Sequence, residues 1–173
     1  MKKAFTMIEL IFVIVILGIL AAVALPKFLS VSQQAHEGNL KAFVGTLNRS
    51  VGPTIWSKAV SANGTGSVTA LTGDEQNLSS FVDIPTEIKN SNLTDSNLTA
   101  DCNSSTNDQI ILYAKKDVAG HLYFITCRDG NPTQSLKFRL YQASNDNMSV
   151  SSSTIGTDIN STDANATCIA GCK

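Results

Sequence analysis

The chain has 173 residues and a formal net charge of -1, which suits one domain or one domain plus an extended element. Basic and acidic residues nearly cancel, so no strong field points to nucleic acid as a partner. Charged residues make up 16%, against about 25% in an average soluble domain, and the apolar 43% is crowded into the first quarter of the chain.

The first element is apolar. Lys2 and Lys3 precede it, and from Leu10 to Leu25 no charged or strongly polar residue occurs. With Phe5 to Ile8 the run reaches about 20 residues, or about 30 Å of helix, enough to cross a bilayer core. The two lysines predict a cytoplasmic start, with the rest of the chain beyond the inner membrane. A secretory signal peptide shares the basic start and apolar core, and Ala21, Ala22 and Ala24 could serve as its cleavage residues. It has no use for Glu9, however, which sits between Ile8 and Leu10. An unpaired acid at membrane depth costs about 2.5–3.5 kcal/mol, so its presence calls for a partner.

Ala4-Phe5-Thr6-Met7-Ile8-Glu9-Leu10 resembles the processing site of type IV pilins and of the pseudopilins of type II secretion. The resemblance implies cleavage between Ala4 and Phe5 by a prepilin peptidase and methylation of the new amino terminus on Phe5. Glu9 then becomes the fifth residue of the mature chain, the acid position of that family. Ala4 stands where the family has Gly, which implies slower cleavage. After the cut, the Phe5 ammonium and the Glu9 carboxylate of a staggered neighbour would each be costly alone and tolerable together. The acid is thus expected to set register in assembly. Gly18 and Pro26 match the pilin positions at which the helix extends when subunits pack.

Beyond Pro26 the helical pattern continues. Leu40, Phe43, Val44, Leu47 and Val51 recur at three- and four-residue spacing, and Ile55, Trp56 and Val60 carry the stripe past a kink at Gly52-Pro53. The stripe reads as core rather than as a ligand groove. Pro26-Lys27-Phe28-Leu29 and Trp56-Ser57-Lys58-Ala59 resemble pilins of the mannose-sensitive haemagglutinin type.

Ala62 to Gly66 reads as a loop, Ser67 to Leu71 as a short strand, and Asn77 to Thr99 mostly as connecting structure. Three clearer strands are predicted over Gln109–Lys115, His121–Cys127 and Leu136–Tyr141, joined by hairpin turns. In the last, Leu136, Phe138 and Leu140 alternate with Lys137, Arg139 and Tyr141. The expected fold class is α+β, a long N-terminal helix packed on a C-terminal antiparallel sheet, as in pilins. The expected divisions are a leader (1–4), a transmembrane or filament-core helix half (5–26), an amphipathic half (27–60) and a β-rich head (61–173). The tail from Asn145 onward is polar and receives no element.

Cys102, Cys127, Cys168 and Cys172 all lie beyond the membrane segment, where disulfides are expected. Of the three connectivities, Cys102 with Cys127 and Cys168 with Cys172 each close a local loop. The Cys168–Cys172 spacing could instead hold metal, but no His or acid lies beside it. His36 and His121 belong to no triad or metal motif, and no phosphate-binding glycine loop occurs, so neither enzyme nor cofactor is expected. Asn-x-Ser/Thr triplets such as Asn63 to Thr65 and Asn165 to Thr167 arise by chance in a segment this rich in Asn, Ser and Thr.

Two functions remain. One is a structural pilin of a surface fibre for adhesion or motility, with a minor tip subunit as its binding variant. The other is a pseudopilin in a short periplasmic piston. Both imply self-association, contact with other pilins or pseudopilins, a prepilin peptidase, and residence in the bacterial inner membrane before an extracellular or periplasmic filament forms. Cysteines and a polar head favour the exposed fibre.

Overall fold

A computed structural model describes residues 6–89, 96–145, 156–157 and 166–172. The chain divides into two units, Met1–Ala35 and His36–Lys173. The fold class is α+β.

Helix α1 runs Met7–Thr46. Its part in the first unit, from Met7 to Val23, presents every side chain to the surroundings, apolar ones included. Its last turns, in the second unit, bury Leu40, Phe43 and Val44. A π-helical turn over Leu47–Val51 leads into helix α2 (Gly52–Asn63). The expected kink at Gly52-Pro53 is therefore a change of helical register. Pro53 has no N–H to offer the Arg49 carbonyl, and its ring would crowd that carbonyl in an α-helix. The wider turn relieves both, with the Gly52 N–H reaching back to the Leu47 carbonyl. Gly52 also lies close to the backbone just ahead of Lys137, since a Cβ there would sit 3.2 Å from the Leu136 oxygen. The apolar stripe continues through Leu47, Val51, Ile55 and Ala59, all buried.

The Ser67–Leu71 segment is not a strand. It forms a 3₁₀ turn over Val68–Ala70, with Ser67 as its N-cap. The buried Asp129 carboxylate accepts the Val68 N–H at 2.9 Å and the Gly130 N–H at 2.7 Å, and the Ser67 hydroxyl bonds to it as well. A distant acid overrides the local β-propensity. The Asn77–Thr99 stretch holds more structure than expected: a 3₁₀ turn over Leu78–Ser80, helix α3 (Thr86–Lys89) and the start of helix α4 (Leu98–Asp101), which place Leu78, Ile88 and Leu98 in the core. The order of the Asn145 tail falls mostly outside the described residues.

Four strands follow: β1 (Gln109–Ala114), β2 (Tyr123–Arg128), β3 (Lys137–Ala143) and β4 (Ala166–Ala170). They form one antiparallel sheet in the order β1-β2-β3-β4. The link from β1 to β2 is a short helix α5 (Lys116–Ala119) closed by Gly120 at φ 83°, rather than a simple turn. One sheet face, with Ile125, Cys127, Phe138 and Leu140, shares a core with Leu40, Leu47 and Ile55.

Asn48 stitches helix to sheet. Its amide oxygen accepts the Phe138 N–H at 2.9 Å, and its amide nitrogen donates to the Phe138 carbonyl at 2.8 Å and to the Val44 carbonyl at 3.1 Å. A polar residue in the helical stripe is thus a backbone mimic for an edge of β3 lying beyond its pairing with β4.

On the other face lies a small cluster of Ile110, Tyr113, Leu122, Phe124 and Ala143, with Tyr141 against it. Beside it the buried Asp108 carboxylate takes Arg128 Nε at 2.9 Å, the Arg139 guanidinium and the Tyr141 hydroxyl at 3.0 Å. Burial, and then the Asp108 charge, push the Tyr141 hydroxyl above its ordinary pKa.

Candidate functional site

The N-terminal unit carries the residues that the sequence singles out. Among the described residues, Met7–Ala24 is a helical run of 18 residues apolar enough to cross a membrane, with none of it buried in the chain. Leu10, Ile14, Leu17 and Val23 are all more than half exposed. So many bare apolar side chains imply a medium or a partner that removes them from water.

Glu9 has a local partner that the charge argument overlooked. Its carboxylate accepts the Thr6 N–H at 2.9 Å and the Thr6 hydroxyl at 2.9 Å, while the Glu9 N–H points back to the Thr6 hydroxyl at 3.4 Å. Thr6-Met7-Ile8-Glu9 is therefore a capping box, two free donors of the first turn being satisfied reciprocally. The Thr-x-x-Glu spacing was the available signal. This bond leaves the carboxylate exposed and uses one of its oxygens. Ala4 and Phe5, the expected cleavage pair, lie outside the described residues, as does any contact between Glu9 and the amino terminus.

Gly18 has no neighbouring atom within 4 Å of where a Cβ would stand, so its own chain does not require a glycine there. Pro26 lies inside α1 without ending it.

Among the described residues the head brings together no catalytic grouping. His36 Nδ1 lies 2.9 Å from the Glu87 carboxylate, which also accepts from Asn39 Nδ2 at 3.2 Å. Burial works to raise the Glu87 pKa, but the bonds from His36 and Asn39 prevail and lower it. His121 stands edge-on to the Tyr123 ring. No group of His, Cys, Asp and Glu suited to a metal occurs among the described residues. Cys102 is bonded to Cys127, tying the end of α4 to β2, and Cys168 is bonded to Cys172, closing the end of β4. A bridge over 25 residues restricts the unfolded chain and stabilises the head by about 2–4 kcal/mol.

Comparison with known proteins finds likeness in the N-terminal helix. The family described as the prokaryotic N-terminal methylation motif matches residues 1–25. A curated relative, the type IV narrow pilus major component PilA5 of Thermus thermophilus, is 52% identical over 40 residues. The N-terminal segment carries the prepilin-type methylation motif and is similar to that of a type IV pilin. That match covers 23% of this chain and 34% of the relative, so this chain is compared with only about a third of that protein's length. No solved structure matches. The likeness rests on the pilin-type helix, and the head stands on its own geometry.

Proposed function

We propose that this chain is a structural subunit of a type IV pilus-like filament used for adhesion or motility. The observation that carries the reading is the pilin-type helix: an apolar surface from Met7 to Val23 left wholly bare, interrupted by the single acid Glu9. A prepilin peptidase cuts between Ala4 and Phe5, and Phe5 is methylated. The helix anchors the subunit in the inner membrane with its start in the cytoplasm. It then moves into a filament, where neighbouring helices replace lipid around the same side chains. Glu9 pairs with the Phe5 ammonium of an adjacent subunit, and Gly18 and Pro26 let the helix extend. Two disulfides and a polar head favour a fibre exposed to the exterior over a periplasmic pseudopilus.

The processing step is tested by mass spectrometry of the mature protein, which is expected to begin at Phe5 with one added methyl group. A chain starting after Ala22 or Ala24 would overturn the reading. Shearing cells separates the two filament types: a surface pilin is released with the fibre, a pseudopilin stays with the cell.

A further inference from the structure

Composition explains the abundance of Asn-x-Ser/Thr triplets, but not what precedes them. Nine of the 14 asparagines start such a triplet with a residue other than Pro in the middle. Five of the nine, at Asn77, Asn97, Asn103, Asn160 and Asn165, have Asp or Glu two residues before the asparagine. With 14 acids in 173 residues, chance supplies fewer than one. The repeated unit is acid-x-Asn-x-Ser/Thr.

We infer that Asn77 and Asn103 are acceptors for N-linked glycosylation, within Glu75-Gln76-Asn77-Leu78-Ser79 and Asp101-Cys102-Asn103-Ser104-Ser105. The donor class is a saccharide carried on a lipid pyrophosphate. The asparagine Nδ2 bonds to C1 of the sugar, the bond from C1 to the phosphate oxygen breaks, and the lipid pyrophosphate leaves with the electron pair. The Nδ2 proton that is lost passes to a base of the transferase. A basic residue in that transferase would read the acid before the asparagine. The inference rests on the reading that the head lies beyond the membrane.

The structure sorts the triplets by what a sugar would break. A glycosylated Asn keeps one amide hydrogen. Asn48 uses both, on the Val44 and Phe138 carbonyls, and its oxygen takes the Phe138 N–H, so a sugar there would undo the stitch between helix and sheet. That triplet has Thr46 in place of the acid. Asn103 is exposed, and its Nδ2 makes one bond, to the Ala100 carbonyl at 3.3 Å, which the remaining hydrogen can keep. Its oxygen accepts from Gln109 Nε2 at 3.2 Å and is unaffected.

Asn77 occupies the N-cap of the Leu78–Ser80 turn, yet its side chain makes no capping bond. Capping therefore does not explain this asparagine. It does explain Asn97, whose oxygen accepts the Thr99 and Ala100 N–H groups. Asn63 is exposed but has Ser61 in place of the acid.

Full-length protein from its native host, taken from both membranes and sheared material, is digested and its glycopeptides sequenced by mass spectrometry. Saccharide mass on Asn77 and Asn103, with Asn48 and Asn63 bare, is the expected result. Peptides over both Asn77 and Asn103 at their unmodified masses would overturn the inference.

Glu75→Gln tests the role of the acid, since that side chain is exposed and, among the described residues, bonds to Lys58. Occupancy at Asn77 is expected to fall at least tenfold, with Asn103 unchanged. Unchanged occupancy at Asn77 would show that the acid is not read, and would overturn the inference in that respect. Because glycan is scored on unassembled subunits as well, its absence is distinguishable from a failure to form filaments.

Discussion

Cells carrying Glu9→Gln are expected to make no filaments, while cells carrying Thr6→Ala are expected to make them. The two variants separate the local and intersubunit roles of one carboxylate. Gln can still accept the Thr6 N–H and complete the capping box, but it brings no charge. In the proposed pairing, the Phe5 ammonium of the neighbouring subunit would then be left unpaired among apolar side chains. Removing one partner of a buried ion pair costs about 3–5 kcal/mol, or about two to four powers of ten in the assembly equilibrium. Thr6→Ala removes the cap, worth about 1 kcal/mol at the helix end, and keeps the charge. The measurement is sheared fibre at equal membrane levels of processed subunit. If Glu9→Gln assembles normally and Thr6→Ala does not, the acid serves the helix and not the register. Glu9→Leu loses both roles and is expected to insert in the membrane as well as the parent chain, since it removes an acid that costs about 2.5–3.5 kcal/mol at depth.

In the head the largest single loss is expected at Asp108. Asp108→Ala leaves Arg139, whose side chain is 13% exposed, without its counter-charge, and strips the Tyr141 hydroxyl of its acceptor. Arg128 is more exposed and can turn to solvent, so its share of the loss is small. Destabilisation of about 3–5 kcal/mol follows from the uncompensated guanidinium. Replacing Arg139 by Met in the same chain is expected to restore part of it, because no buried charge then remains. Trp56, the single tryptophan, donates to the Asn131 carbonyl at 2.8 Å and reports unfolding of the head by fluorescence in urea. A loss below about 1 kcal/mol would place Asp108 with the surface ion pairs instead.

Local pattern carried much of this fold. The Leu40 to Ile55 stripe and the alternation around Phe138 are periodic signals, the apolar run after Glu9 is a signal of length, and each became the element it implies. The failures have a common physical form. Ser67–Leu71 is shaped by a carboxylate 61 residues away in sequence, at Asp129. Strand β4 has the weak pattern Ala-Thr-Cys-Ile-Ala, with half-buried residues where a core strand would alternate, and it gains its identity from β3. The role of Asn48 has no local signal, because its two partners on Phe138 lie 90 residues on. At the N-terminus the acid was legible as costly and its capping partner was overlooked, since attention to charge hides a neutral hydroxyl.

Strand order that follows chain order has a bearing on export. Each strand needs only the one before it as a template: β2 pairs with β1, β3 with β2, and β4 with β3. A head of this kind can be laid down as a queue if it emerges from its own N-terminal end, with no early strand held waiting for a late one. Low sequence separation between pairing strands favours rapid closure. The Cys102–Cys127 bond can close once β2 is out, before β3 exists, whereas Cys168–Cys172 must wait for the last residues. Alkylation of nascent chains is expected to trap the first bridge formed with Cys168 and Cys172 still free. The opposite order would mean that the head folds only after release, as a whole.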